Sequence, residues 1–159
     1  MTPARLIKDL AAELKDATAN LKFPEEYQKE VSAGDYVKVN VYEQMFPADL
    51  FESEDYYPFV SVELMTLKDN AERESRAEVG ISFGVFAKEA DGWLDLFYLM
   101  DVIRRRLLEK RFIGDYFRLT GGLEFELPDV QPVPFLVGSM QATYFIPHIH
   151  ELDRKIFFS

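Results

Sequence analysis

The strongest candidate for chemistry in this sequence is a pair of histidines near its C-terminal end. His148 and His150 are separated by one residue and are followed closely by Glu151 and Asp153. A His-x-His pair on a strand places both imidazoles on one side, and imidazole and carboxylate are ligands that zinc accepts. The pair is therefore a candidate metal site of a small enzyme or ligand-binding domain. Ordinary surface or packing histidines are the alternative, because the sequence indicates no supporting element that would bring a third ligand.

Other reactive sites have little support in the residue types and their spacing. The chain contains no cysteine, which excludes disulfides, thiol nucleophiles and cysteine-bound metals. Gly121-Gly122 lacks the lysine and the following helix that a phosphate-binding loop requires. The serines of the predicted strands are Ser61, Ser82 and Ser139, and none sits at the strand-to-helix elbow of a serine hydrolase. We therefore expect no catalytic residue, no cofactor and no enzymatic activity.

Apolar residues at helical spacing predict two helices. The first begins at Thr2-Pro3, where a hydroxyl can cap the helix and proline suits its first turn, and it extends to about Asn20. The second opens at Asp91-Gly92 and ends before Gly114. Its predicted packing face consists of Trp93, Leu96, Phe97, Met100, Ile103 and Leu107.

The last turns of the second helix are strongly basic. They carry Arg104, Arg105, Arg106, Lys110 and Arg111. Positive charge suits the negative C-terminal end of a helix dipole, which is one explanation of the cluster. The other is a basic patch that meets an acidic loop of a neighbouring subunit.

Alternation of apolar and polar residues predicts the strands. The predicted strands are residues 37–42, 59–67, 76–85, 117–127 as either a strand pair or one bulged strand, and 136–146. The order α-β-β-β-α-β-β predicts an α+β fold with a mainly antiparallel sheet of four to five strands and two helices on one face. The other face and at least one edge would remain for another copy to cover. We expect a single domain over residues 1–159, with residues 147–159 as a tail that reaches a neighbouring subunit or its own domain.

Two glycines of the third strand lie on the face opposite its apolar residues. Gly80 and Gly84 alternate with Val79, Ile81 and Val85. Glycine in a strand interior marks either the close approach of another group or local curvature, and the sequence leaves both explanations open.

The charge balance argues against tight nucleic-acid binding. The chain has 18 Lys and Arg against 28 Asp and Glu, a formal net charge of −10. Such a surface repels phosphate, so it serves either ordinary solubility or a channel lining that DNA passes without binding. No segment has the length and apolar content of a signal peptide or a membrane span. We expect a soluble protein that is made in the cytoplasm and has no membrane partner.

Several segments, taken in order, resemble the tail-terminator or tail-completion proteins of long-tailed bacteriophages and prophages. The resemblance covers about residues 57–147. It rests on Tyr57-Pro58-Phe59-Val60-Ser61-Val62-Glu63-Leu64, the strand Val79-Gly80-Ile81-Ser82-Phe83-Gly84-Val85-Phe86, the helix start Asp91-Gly92-Trp93-Leu94-Asp95, and the ending Gln131-Pro132-Val133-Pro134-Phe135, Gly138 and Tyr144-Phe145-Ile146-Pro147.

The resemblance implies a structural α+β subunit that closes into a homo-oligomeric ring, generally hexameric. The ring would cap the tail tube, present a surface to the head-tail connector protein and let DNA pass without specific binding. Its location would be the virion tail or neck, and the host cytoplasm during assembly. Two alternatives stay open, a head-tail connector or neck protein of the same fold family and a small metal-binding enzyme that uses His148 and His150.

Three segments are the predicted contacts between subunits. The first is an acidic loop with Glu52, Glu54, Asp55, Tyr56 and Tyr57, the second is the charged connector with Arg73 and Arg76, and the third is the tail with Phe157 and Phe158. Ring closure requires two different surfaces on each subunit, and loops or sheet edges can supply them. The tail phenylalanines either pack into their own domain or dock onto a neighbour.

Overall fold

The fold is known from a computed structural model, which describes residues 2–21, 23, 38–44, 56–69, 74–87 and 92–147. In these ranges the chain forms α1 (Pro3–Thr18), β1 (Asn40–Glu43), β2 (Phe59–Asp69), β3 (Glu74–Phe86), α2 (Trp93–Glu109), β4 (Phe112–Ile113), β5 (Phe117–Glu126) and β6 (Phe135–Pro147). The predicted α+β class is confirmed.

The sheet has six strands in the order β1-β2-β3-β6-β5-β4 among the described residues. This agrees with the prediction of a mainly antiparallel sheet and differs from the predicted four to five strands in two details. β1 pairs with β2 in parallel, whereas every other neighbouring pair is antiparallel. The short strand β4 follows a helix that ends at Glu109, earlier than predicted, and Gly114 lies in the turn after β4 with φ +61°.

Residues 117–126 form one bulged strand, β5, which settles the choice that the sequence left open. Its pairing with β6 skips from Thr120 opposite Thr143 to Glu124 opposite Gln141. Three residues of β5 therefore lie opposite Ala142 alone. Gly121 adopts φ +65° at this point, a conformation that glycine enters without a steric penalty.

Helix α1 begins as the sequence predicts. The backbone N–H of Arg5 donates to Oγ1 of Thr2 at 3.2 Å, a helix cap of the kind that contributes about 1 kcal/mol. Leu6, Leu10 and Leu14 are fully buried on the face that meets the sheet. The helix ends at Thr18, two positions before the predicted end.

Helix α2 packs on a different stripe from the predicted one. Leu96, Leu99, Ile103 and Leu107 are buried, and Leu99 is absent from the predicted face. Trp93 is 50% exposed and Phe97 is 38% exposed, so the prediction that these aromatic side chains pack on the sheet is wrong.

Both helices cover the same face of the sheet. α1 contacts β1 and β2 near one edge and also β4 at the other edge, while α2 packs on the central strands β3 and β6. The sheet therefore curls around α1. We call the side of the sheet away from the helices the outer face.

Close approach explains the strand glycines, and it resolves the second choice left open by the sequence. A Cβ on Gly84 would lie 2.8 Å from Cε1 of Tyr57 and closer still to the ring of Phe59. A Cβ on Gly80 would lie 2.9 Å from Sδ of Met65. Thus an aromatic cluster fills the space beside Gly84 at one end of the outer face, and it includes the ring of Phe135 at 5.0 Å from that of Tyr57.

We predict that Gly84→Ala destabilises the protein. The new methyl group would overlap the Phe59 and Tyr57 rings, and overpacking of this kind costs about 1–3 kcal/mol. Chemical unfolding measures the change in the free energy of unfolding. Gly122→Ala is the matched control, because a Cβ there meets no atom within 4 Å. Equal stability of the two variants would contradict this explanation of Gly84.

Candidate assembly surface

The structure describes three of the predicted contact residues. Tyr56 is partly exposed, and its ring stacks on that of Tyr42 with centroids 5.3 Å apart. Tyr57 is 0% exposed, and burial raises the pKa of its hydroxyl. Its side chain is therefore covered by its own chain, in the aromatic cluster beside Gly84, and offers no exposed surface to a neighbour in the described subunit. Arg76 is exposed on β3.

The remaining predicted sites lie outside the described residues. They are Glu52, Glu54, Asp55, Arg73, His148, His150, Phe157 and Phe158. Elsewhere in the described ranges, no group of three or more histidine, aspartate or glutamate side chains could hold a metal ion.

The basic end of α2 is joined mainly to acidic residues of its own chain. Arg106 Nη1 lies 2.8 Å from Oε1 of Glu13 and 2.7 Å from Oδ2 of Asp16, both on α1. Lys110 Nζ lies 2.8 Å from Oε2 of Glu13. We call these four side chains the clamp. Because the clamp ties α1 to α2, the basic cluster has a structural role inside the subunit.

Two opposing effects set the pKa of Glu13. Burial raises the pKa of this carboxyl group, but the hydrogen bonds and positive charges of Lys110 and Arg106 outweigh burial and leave it below the ordinary value.

The hydroxyl of Tyr144, on the adjacent part of the core, is buried without a hydrogen-bond partner in the described part of the chain. Burial raises the pKa of Tyr144, and the negative charge of Glu13 adds to the effect.

The outer face carries side chains in rows that cross the strands. Directly opposed residues of neighbouring strands point to the same side, so the pairing register defines each row. From the Pro147 end of β6 to the Phe135 end, the rows are Lys68-Arg76-Phe145-Arg118-Phe112, then Thr66-Glu78-Thr143-Thr120, then Glu63-Gly80-Gln141-Glu124, then Ser61-Ser82-Ser139-Glu126, then Phe59-Gly84-Val137. The face therefore changes from basic and aromatic to acidic, and then to apolar.

The first of these rows is an organised basic surface, which we call the basic row. The Cζ atoms of Arg76 and Arg118 lie 5.0 Å and 4.6 Å from the ring centroid of Phe145, within cation–π distance. Phe112 at the end of the row is 53% exposed. Both guanidinium groups of the row are thus held in place while they remain open to solvent.

The opposite end of β5 and the segment after it are acidic and apolar. Glu124, Glu126 and Asp129 are exposed, as are Leu127, Val130 and Val133, at 40%, 82% and 71%. We call these six residues the acidic edge. Part of it borders an open groove of about 540 Å³ over the outer face, with Ser82, Ser139 and Val137 on its floor.

Much of strand β5 has a neighbour on one side only. β4 pairs with Phe117 and Arg118, and the N–H of Leu119 donates to the carbonyl oxygen of Arg111 at 2.7 Å. Within the described residues, the rest of β5 has no strand beside it opposite β6. An unpaired strand edge presents backbone donors and acceptors that another chain can pair with.

Sequence reasoning missed most of this surface. Of the basic row, it identified only Arg76, because the row exists through pairing between strands that are distant in sequence. Val130 and Val133 had a usable signal, since Pro128, Pro132 and Pro134 around them indicate an extended loop that cannot bury both valines.

Comparisons with known proteins add no relative. No protein-family model matches the chain, and a search of curated proteins finds no significant match. Neither of the described helices combines the length and apolar content that would cross a membrane.

We predict that Glu13→Gln lowers stability at neutral pH and that the difference from wild type shrinks in acid. The folded pKa of Glu13 lies below its unfolded value, so the clamp's contribution is fully present above the unfolded pKa and is lost as pH falls through the folded pKa. We expect a loss of about 1 kcal/mol at neutral pH, since the cations are partly exposed. Urea unfolding over a pH series measures it. Glu109→Gln, an exposed carboxylate at the end of α2 that is not part of the clamp, is the control. A difference that did not vary with pH would contradict the role of the ionised carboxylate.

Proposed function

We propose that this protein is a tail terminator, a structural subunit that forms a ring and caps the tail tube of a long-tailed phage. The resemblance described above supports the phage assignment. Its segments fall on β2, β3, the start of α2, the loop before β6 and β6 itself. They supply the centre of the sheet and the helix that packs on it.

The open side of β5 is the observation that carries the assembly part of the proposal. Beyond Leu119 this strand has a free edge in the described part of the chain, and the chain that follows exposes Leu127, Val130 and Val133. An apolar patch beside unpaired backbone groups is the type of surface that subunits bury on association. In the ring, this edge meets a different surface of the next copy.

The proposed partners are further copies of this chain, the tail-tube protein below and the head-tail connector protein above. DNA passes through the ring without specific binding, in keeping with the net charge of −10. The mature location is the virion tail. A neck ring of the same fold family is the second assignment, and it differs in whether the ring binds the tube or the head.

Negative-stain microscopy of the purified protein tests the proposal. We expect closed rings in a concentration series and capped tube ends when tail-tube protein is added. Rings that leave tube ends bare but bind the head portal would move the assignment to the neck. A protein that forms no ring and leaves tube growth unaltered would overturn both assignments.

We predict that the double variant Val130→Asn and Val133→Asn weakens ring formation at least tenfold while the subunit stays folded. Both side chains are largely exposed in the subunit, so the change removes apolar surface that only association would bury. Sedimentation velocity measures the association, and circular dichroism checks the fold. Leu94→Asn, on the exposed side of α2 at 52%, is the control for a general loss of surface hydrophobicity. Unchanged association of the double variant would exclude this segment from the interface.

A further inference from the structure

The described surface separates charges of opposite sign on one subunit. The basic row lies at the Pro147 end of β6, and the acidic edge lies near the row that contains Ser139. Ser139 and Phe145 are six positions apart on β6, which corresponds to roughly 20 Å along the strand. A second copy can therefore contact one surface while the first copy's other surface remains free.

The cations of the basic row are available for a partner. In the described ranges, Lys68 and Arg76 have no carboxylate within ion-pair distance, and Arg118 approaches Glu74 only to 3.9 Å. Because Arg76 and Arg118 are held against the Phe145 ring, they lose less conformational freedom on binding than free side chains would. The row is thus organised before a partner arrives.

The acidic edge has the complementary composition. Glu124, Glu126 and Asp129 form no ion pair among the described residues, and the exposed apolar side chains of Leu127, Val130 and Val133 lie near them in sequence. The basic row likewise combines its cations with the exposed ring of Phe112 and the partly exposed ring of Phe145. If the two surfaces met, cations would therefore lie against carboxylates and apolar side chains against apolar side chains.

The net charge gives a second reason for this pairing. Copies that each carry a charge of −10 repel one another, so self-association needs a local contact of opposite sign. The basic cluster at the end of α2 is largely engaged with acidic groups of its own chain, through the clamp and through Asp101, which binds Arg104 and Arg105. The basic row, in contrast, brings three cations together with little engagement by acidic groups among the described residues.

We propose that the acidic edge of one copy docks on the basic row of the next, so that the contact is head-to-tail and repeats around a ring. This inference rests on the proposed function for the ring, but it concerns the contact alone. Heterologous contacts of this kind close into a ring when the rotation between copies permits it.

A charge exchange tests the contact. The edge variant is Glu124→Lys with Glu126→Lys, and the row variant is Lys68→Glu with Arg76→Glu. Each variant alone places like charges across the contact, and we expect self-association at least tenfold weaker than wild type. In a mixture, the basic edge of the edge variant can dock on the acidic row of the row variant. The unchanged acidic edge of the row variant can dock on the unchanged basic row of the edge variant. We therefore expect association to return, with the two variants alternating around even-numbered rings.

Sedimentation velocity and negative-stain microscopy of each variant and of the mixture provide the readout, and circular dichroism confirms folding. Lys8→Glu with Lys15→Glu, both exposed on α1, is the control for the change in net charge in the row variant. Glu109→Lys with Glu43→Lys, both exposed and outside the contact, is the control of equal net charge for the edge variant. Each control should change self-association only through its net charge, and mixing the two controls should not restore association beyond that effect.

The outcomes separate this contact from the proposed function. Wild-type rings with no recovery in the mixture would overturn the contact and leave the terminator assignment standing. Recovery in the mixture, with rings that cap no tube, would support the contact and overturn the terminator assignment. A wild-type protein that stayed monomeric at low ionic strength would overturn the contact. Loss of single-stranded oligonucleotide binding in the row variant, with self-association unchanged, would also overturn it and assign the basic row to nucleic acid.

Discussion

The antiparallel pairing of β3 with β6 is the constraint on which the rest of the structure depends. It runs without a register shift from Glu74 opposite Pro147 to Phe86 opposite Phe135. Since the side-chain period of a strand is two, this register decides which residues face the helices and which face outward. It places Ile81 and Met140 in the core, and it aligns Arg76 with Phe145 on the outer face. The register between β3 and β6 therefore determines both the core on one face of the sheet and the candidate contact surface on the other.

The elements that the sequence predicted correctly are those encoded locally. The Thr2 cap, the apolar spacing of α1 and the long alternation of β3 each depend on residues that are near one another in sequence. The parallel pairing of β1 with β2 depends on where the chain returns after the intervening segment, and alternation carries no information about strand direction. β4 has two residues, too few for any periodicity to appear. The direction of β1 and the presence of β4 follow from tertiary packing, so local patterns could not reveal them.

The candidate site shows the same division. The sequence predicted a contact role for Arg76, but it could not place Arg118 and Phe145 beside it, because the row arises from pairing across three strands. It also assigned Trp93 and Phe97 to the packed side of α2. Two overlapping apolar stripes are present on that helix, and the position of the sheet selects the one through Leu99. Register and the orientation of a helix on a sheet are thus the information that a single sequence lacked here.

The bulge in β5 has a consequence for parity. From Thr120 to Glu124 the strand advances four positions while β6 goes back two, from Thr143 to Gln141, and both steps are even. Glutamates 124 and 126 therefore stay on the same side as Thr120, and Phe125 stays with Leu119 on the side of the core. With one glycine fewer, the step would be odd, and the two sides of the strand would exchange. The number of residues in the bulge, to which Gly121 and Gly122 contribute two, therefore keeps Glu124 and Glu126 on the solvent side of the strand.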